Sequence, residues 1–183
     1  LQRELHPAGH PALTEVINNQ AWALMNLSQA DKAEPLFREA LEAKRKVLGR
    51  AHPELAAGLN NLAYARESKG DYAGAEAAYL EALAMNRNLL GERHPEVASN
   101  MSNLAFVQYA QGRHRAAIDL LRASLDLRRA VLGARHPDIA GSAASLGFWL
   151  IDAGNLAEAK LLIDESLDIR RRALTALARN RVP

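Results

Sequence analysis

The sequence predicts an all-α chain of stacked antiparallel helix pairs, and three observations carry that prediction. His-Pro recurs at His10-Pro11, His52-Pro53, His94-Pro95 and His136-Pro137, a constant step of 42 residues. Leu-Gly recurs in the same phase at Leu48-Gly49, Leu90-Gly91 and Leu132-Gly133, and Ala33, Ala75, Ala117, Ala159 with Leu41, Leu83, Leu125, Leu167 form further columns. Hydrophobic residues make up 49% of the 183 residues but aromatics only 5%, a composition that suits packed helices better than a sandwich or barrel.

Each unit is predicted to run as follows. A proline such as Pro53 opens the first helix, where its missing N–H costs nothing, with His52 at the cap and Glu54, Glu96 or Asp138 complementing the helix dipole. Gly70, Gly112 and Gly154 break the chain, and Asp71 or Asn155 is placed to cap the second helix. The segments "DKAE" at 31–34 and "NLAE" at 155–158 read as capping boxes, and Pro35 is expected in the first turn of its helix. The second helix stops at Gly49, Gly91 or Gly133. Along it, Leu36 or Phe37, Ala40, Leu41, Ala43, Val47 and Leu48 make a wide apolar stripe that one helix pair cannot bury alone.

The resulting division is four repeats at 10–51, 52–93, 94–135 and 136–174. Residues 1–9 read as the tail of a preceding helix or cap, and 175–183 as a C-terminal helix extension and tail. Because the chain begins Leu1-Gln2-Arg3, we expect a piece of a larger protein.

The "LNNLA…G-D-Y…A…Y…AL…LG…HP" pattern of Leu59–Pro95 resembles the tetratricopeptide repeat, and more narrowly the 42-residue variety typified by the kinesin light chain. The resemblance spans about residues 10–174. It implies a right-handed superhelical solenoid with first helices on the concave side and second helices on the convex side. It also implies a non-catalytic protein-interaction module, and that asparagines in the column of Asn19, Asn61 and Asn103 hold the main chain of a bound peptide. Ser28 for a turn glycine, His114 for a turn aromatic, and Arg66 and Gln108 for a packing tyrosine depart from the pattern.

On those first helices, Asn19, Asn61, Asn103 and Ser145 form one column, beside Asn18, Asn60, Ser102 and Ala144. A carboxamide both donates and accepts, so it can grip peptide main chain whatever the side chains are. Trp22, Tyr64, Phe106 and Phe148 follow one turn on, then Met25, Glu67, Tyr109 and Ile151. The candidate peptide-binding residues are therefore Asn18, Asn19, Trp22, Asn60, Asn61, Tyr64, Asn103, Phe106 and Tyr109, with the rings expected to be partly core. The predicted face carries Glu15, Glu67 and Asp152 and no Lys or Arg. A clamp for a C-terminal carboxylate needs basic residues there, so the expected partner is a neutral to mildly basic segment with apolar anchors.

Other functions find less support. Successive histidines of one column stand about 10 Å or more apart by helix packing, far beyond the ~2 Å of a Zn–N bond, so they read as caps and no metal or cofactor is expected. The Arg45, Arg87, Arg129 and Arg171 column on the second helices could meet a polyanion, but interleaved Glu42, Asp126 and Asp168 and a net charge of only +2 argue for solvated or snorkelling side chains and against nucleic acid. No nucleophile elbow or phosphate loop marks an enzyme. The chain has no cysteine and no apolar run long enough to span a bilayer, and a cytoplasmic location is expected. The remaining alternative is a structural or oligomerisation segment: Phe148-Trp149-Leu150-Ile151 makes the terminal repeat unusually apolar, as self-association would require.

Overall fold

The computed structural model describes residues 11–179, and within them the side chains of 13–176. Residues 1–10, which include His10 and the expected N-terminal tail, lie outside the described residues, as do 180–183. The described residues form eight α-helices and no strand: α1 Pro11–Asn26, α2 Ala30–Leu48, α3 Pro53–Ser68, α4 Tyr72–Leu90, α5 Pro95–Ala110, α6 His114–Leu132, α7 Pro137–Asp152 and α8 Leu156–Arg179. They divide into two compact units, Leu1–Glu92 and Arg93–Pro183.

The helix starts follow from their caps. His52, His94 and His136 have extended backbone, and each Nδ1 accepts the backbone N–H two residues on, from Glu54, Glu96 and Asp138 at 3.2, 3.1 and 3.3 Å. Each histidine therefore serves its own helix. Asp71 Oδ1 accepts from Gly74 N at 2.9 Å, and Asn155 Oδ1 accepts from Glu158 N at 3.4 Å. The expected capping box at 155–158 is only half made, because Glu158 Oε2 accepts from the Asn155 side-chain amide at 2.7 Å while the Asn155 backbone N–H donates to the Leu150 carbonyl. The turn between paired helices needs a left-handed residue. Gly70 supplies it at φ +80°, whereas Ser28 is forced there at φ +57°.

Two local expectations are corrected. Helix α2 begins at Ala30 with Gln29 in the cap position and no side-chain cap bond, so "DKAE" is not a capping box. Gln29 is the register mate of Asp71, and the side chain of Glu34 turns inward instead. Consequently Pro35 is the sixth helical residue, beyond the first turn, where it removes a backbone bond. Val47 also drops out of the expected apolar stripe, being 60% exposed, while Leu48 after it is half-buried.

In the first unit α1 packs on α2, α2 on α3 and α3 on α4. Phe37, Leu41, Leu55, Leu59 and Tyr79 are buried at its centre. In the second unit α5 to α8 repeat this order around Ile118, Leu121, Leu125, Ile139, Leu146 and Trp149. The Ala33, Ala75, Ala117 and Ala159 column has at most 1% exposure, which explains why a methyl recurs there: the paired helices approach too closely for more. Gly147 marks a close approach of α7 to α8, since a Cβ there would lie 2.8 Å from Ile163 Cγ1 and 3.2 Å from the Ala159 carbonyl oxygen.

Polar groups lock successive helix pairs in register. Arg45 bridges Glu42 and, 36 residues on, Glu81, both at 2.7 Å. Arg122 meets Glu158 and Arg129 grips Glu165 across the same 36-residue interval. Inside the first unit, Glu34 accepts from Arg38, from Arg66 Nε at 3.2 Å and from Lys69 Nζ at 2.7 Å. Arg66 thus replaces an expected packing aromatic with an ionic node. In the second unit Ser124 Oγ donates to the Ala98 carbonyl at 2.6 Å and lies 2.7 Å from Ser102 Oγ.

Candidate functional site

The first helices of each unit place the candidate residues. In the first unit, Asn61 Nδ2 on α3 donates to Asn18 Oδ1 on α1 at 3.0 Å. The two amides bridge neighbouring repeats, and the pair keeps Asn61 Oδ1 as acceptor and the Asn18 amide hydrogens as donors. Asn19 is exposed beside them; Asn60 is half-buried and engaged within the protein. In the second unit Asn103 is half-buried and its side chain has no hydrogen bond among the described residues. Its column neighbour Ser102 is buried with Ser124, so that column points inward here.

The aromatic column divides between core and surface. Trp22 stacks on Tyr64, ring centroids 5.8 Å apart at 28°, and meets Phe37 edge-on at 5.5 Å. Tyr64 stays 45% exposed. Phe106, 39% exposed, sits edge-on to Trp149 at 5.0 Å, and Tyr109 stacks on the same indole at 4.2 Å and 10°. His114 closes on the Tyr109 ring at 4.4 Å. The first helices thus offer exposed ring area backed by buried aromatics, a firm apolar surface.

Each unit adds a carboxylate at the end of its second first-type helix. Glu67 Oε2 accepts from Tyr79 OH at 3.1 Å, and Asp152 Oδ2 from Tyr109 OH at 2.9 Å. Burial pushes the Glu67 carboxyl above the ordinary range, the tyrosine bond only partly offsetting it. Burial, then the negative charge of Glu67, raises the Tyr79 phenol strongly. Burial and the bond to Asp152 raise Tyr109 as well.

Sequence reasoning missed Trp149 as the ring that holds Phe106 and Tyr109. The signal was present: its register mates are Ala65 and Val107, so an indole there breaks a column of small residues. It also missed the phenols that orient Glu67 and Asp152.

Three of the four members of the arginine column are occupied by acids, and Arg171 has no ion pair among the described residues. Arg45 and Arg129 pair as described, and Arg87 bonds Glu92 at 3.0 Å. Arg128, half-buried and lowered by that burial, donates to the Asp138 carbonyl and Ser99 Oγ.

The fold defines an all-α helical-repeat protein. The tetratricopeptide repeat family matches residues 13–88, 55–130 and 96–172, and the chain belongs to that family. Tetratricopeptide repeats are non-catalytic modules that mediate protein–protein interaction. Among solved structures, a variant of a Podospora anserina putative kinesin light chain with nearly identical repeats is 23% identical, with TM-score 0.77, covering 95% of this chain and 82% of that one. BtubC (BKLC) from P. vanneervenii is 24% identical, with TM-score 0.76, covering 93% and 66%. MamA is 15% identical, with TM-score 0.63, covering 88% and 81%. These are similarities of fold. A search of curated proteins gives no match. No described helix is long and apolar enough to cross a membrane.

Proposed function

We propose that the first-helix faces bind an extended segment of a protein partner, with amides holding its main chain and exposed rings taking its apolar side chains. The observation that carries this reading is the pairing, in each unit, of unsaturated carboxamides with exposed rings one turn further along the helix. In the first unit these are Asn19, the Asn18–Asn61 pair and Tyr64; in the second, Asn103 and Phe106. The Asn61 bond to Asn18 uses one donor and one acceptor and orients both groups, a preorganisation that lowers the entropy cost of binding. With no Lys or Arg among these side chains, a neutral to mildly basic segment fits.

The test is to capture a partner with the chain, map the bound segment, and measure its affinity by calorimetry. Joint Asn19→Ala, Asn61→Ala and Asn103→Ala replacement should weaken binding at least tenfold, while Arg87→Ala with Arg129→Ala leaves it unchanged. Unaltered affinity in the triple variant refutes the reading. A steep salt dependence lost in the arginine variant would instead establish polyanion binding.

One observation favours a second, structural reading. Leu41 and Leu125 are buried at 2% and 0%, whereas their register mate Leu167 is 44% exposed, on one face with Leu174 at 66%. That face of α8 is suited to another helix pair or a second copy, and concentration-dependent light scattering that is lost in Leu167→Lys, Leu174→Lys would support it.

A further inference from the structure

Most described carboxylates face a Lys or Arg, as in the pairs of Glu34, Glu42, Glu81, Glu158 and Glu165. Glu67 and Asp152 differ. Each accepts a tyrosine hydroxyl, and neither has a Lys or Arg within ion-pair distance among the described residues. The basic residues nearest Glu67 in sequence are committed elsewhere: Arg66 and Lys69 both turn to Glu34. In the second unit Arg113 is directed to Gln111, and His114 lies against the Tyr109 ring.

Both carboxylates also sit where a helix disfavours them. Asp152 is the last residue of α7 and Glu67 the last but one of α3, at the negative ends of the helix dipoles. Glu67 is half-buried as well, with a carboxyl held above its usual range by that burial. Stability alone would place a neutral or basic residue at either site. What the two sites share is a phenol that fixes one carboxylate oxygen and leaves the other open, next to an aromatic stack: Trp22 on Tyr64 in one unit, Tyr109 on Trp149 in the other.

We propose that Glu67 and Asp152 are receptor carboxylates for a lysine or arginine side chain of the bound segment, one in each unit. This rests on the peptide-binding reading above and names the chemistry that the groove selects. The open carboxylate oxygen takes the ammonium or guanidinium by a charge-assisted hydrogen bond, and the neighbouring ring surface, Tyr64 in one unit and Phe106 in the other, takes the methylene stem. The tyrosine hydroxyls of Tyr79 and Tyr109 are positioning groups. Because no resident cation must be displaced, the incoming charge compensates a carboxylate that the fold leaves uncompensated, and truncating either side of such a pair is costly.

The experiment uses the whole chain and defined probes. The only two tryptophans, Trp22 and Trp149, lie one in each unit, so their indole N–H signals in a 1H–15N spectrum report the two sites separately. Nα-acetyl-arginine amide and Nα-acetyl-lysine amide should shift both signals, and Nα-acetyl-glutamine amide should shift neither. A fluorescein-labelled peptide Gly-Ser-Leu-Arg-Leu-Ser-Gly should bind at least tenfold tighter than its counterpart with Gln for Arg. That preference should vanish in Glu67→Gln, Asp152→Asn, which keeps an acceptor for each phenol; the exposed Asp152→Asn alone should lose the Trp149 response if Glu67→Gln impairs folding. Equal binding of the two peptides, or a preference that survives in the double variant, overturns the cation assignment and leaves the groove reading standing. Failure of both peptides to bind overturns the groove reading and this one with it.

Discussion

Replacing Glu34 by glutamine should remove the ionic node of the first unit, and its cost can be worked from the structure. The Glu34 side chain is only 10% exposed and accepts from Lys69, Arg66 and Arg38. The bond from Lys69 leads the effects that hold its carboxyl at about 2 instead of the ordinary 4.5, burial opposing them. That lowering corresponds to about 3 kcal/mol of stability at neutral pH. Its sign is fixed: the folded value lies below the unfolded one, so the stabilisation is complete above about pH 5 and is lost as pH falls from there toward 2. Glu34→Gln should therefore destabilise the first unit by about 2–3 kcal/mol at pH 7, and the gap to the parent chain should narrow steadily below pH 4.5. Urea unfolding followed by Trp22 fluorescence reads this unit, while a single-tryptophan variant retaining Trp149 reads the other, since repeat arrays need not unfold in one step. A loss under about 0.5 kcal/mol at pH 7, or a difference independent of pH, would refute the reasoning.

Two further substitutions probe the fold. Ser28→Gly relieves a left-handed residue at φ +57° and should raise the first unit's stability by up to about 1 kcal/mol in the same urea assay. Gly147→Ala drives a Cβ against Ile163 and the Ala159 carbonyl and should cost about 1–3 kcal/mol, seen as a lower melting temperature by circular dichroism of the second unit's helices.

Helix existence and order were legible because they rest on local chemistry repeated in phase. The His-Pro caps and the turn glycines act within a few residues of themselves, and the Ala33 column marks the close approach within each helix pair. A 42-residue period therefore displays the caps and alanines four times and the turn glycines three, with Ser28 in the first place. The misreading of "DKAE" came from setting the local capping pattern above that register: Gln29, not Asp31, falls in phase with Asp71, and Glu34 serves a partner 32 residues away, Arg66. The candidate amides were legible as columns but not as contacts. Nothing in "LNNLA" states that Asn61 reaches back to Asn18 or that Asn103 does not bond likewise.

What the sequence by itself determined is the helix pair, its caps and breaks, and the positions that must stay small; these are properties of short segments and their spacing. The tertiary structure alone decided which side chains meet between repeats: Arg45 with Glu81, Tyr109 with Asp152, and Trp149 beneath Phe106. The reason is geometric. Those meetings depend on the tilt and offset at which one helix pair rests on the next, and that angle is set jointly by all the packed side chains of the junction.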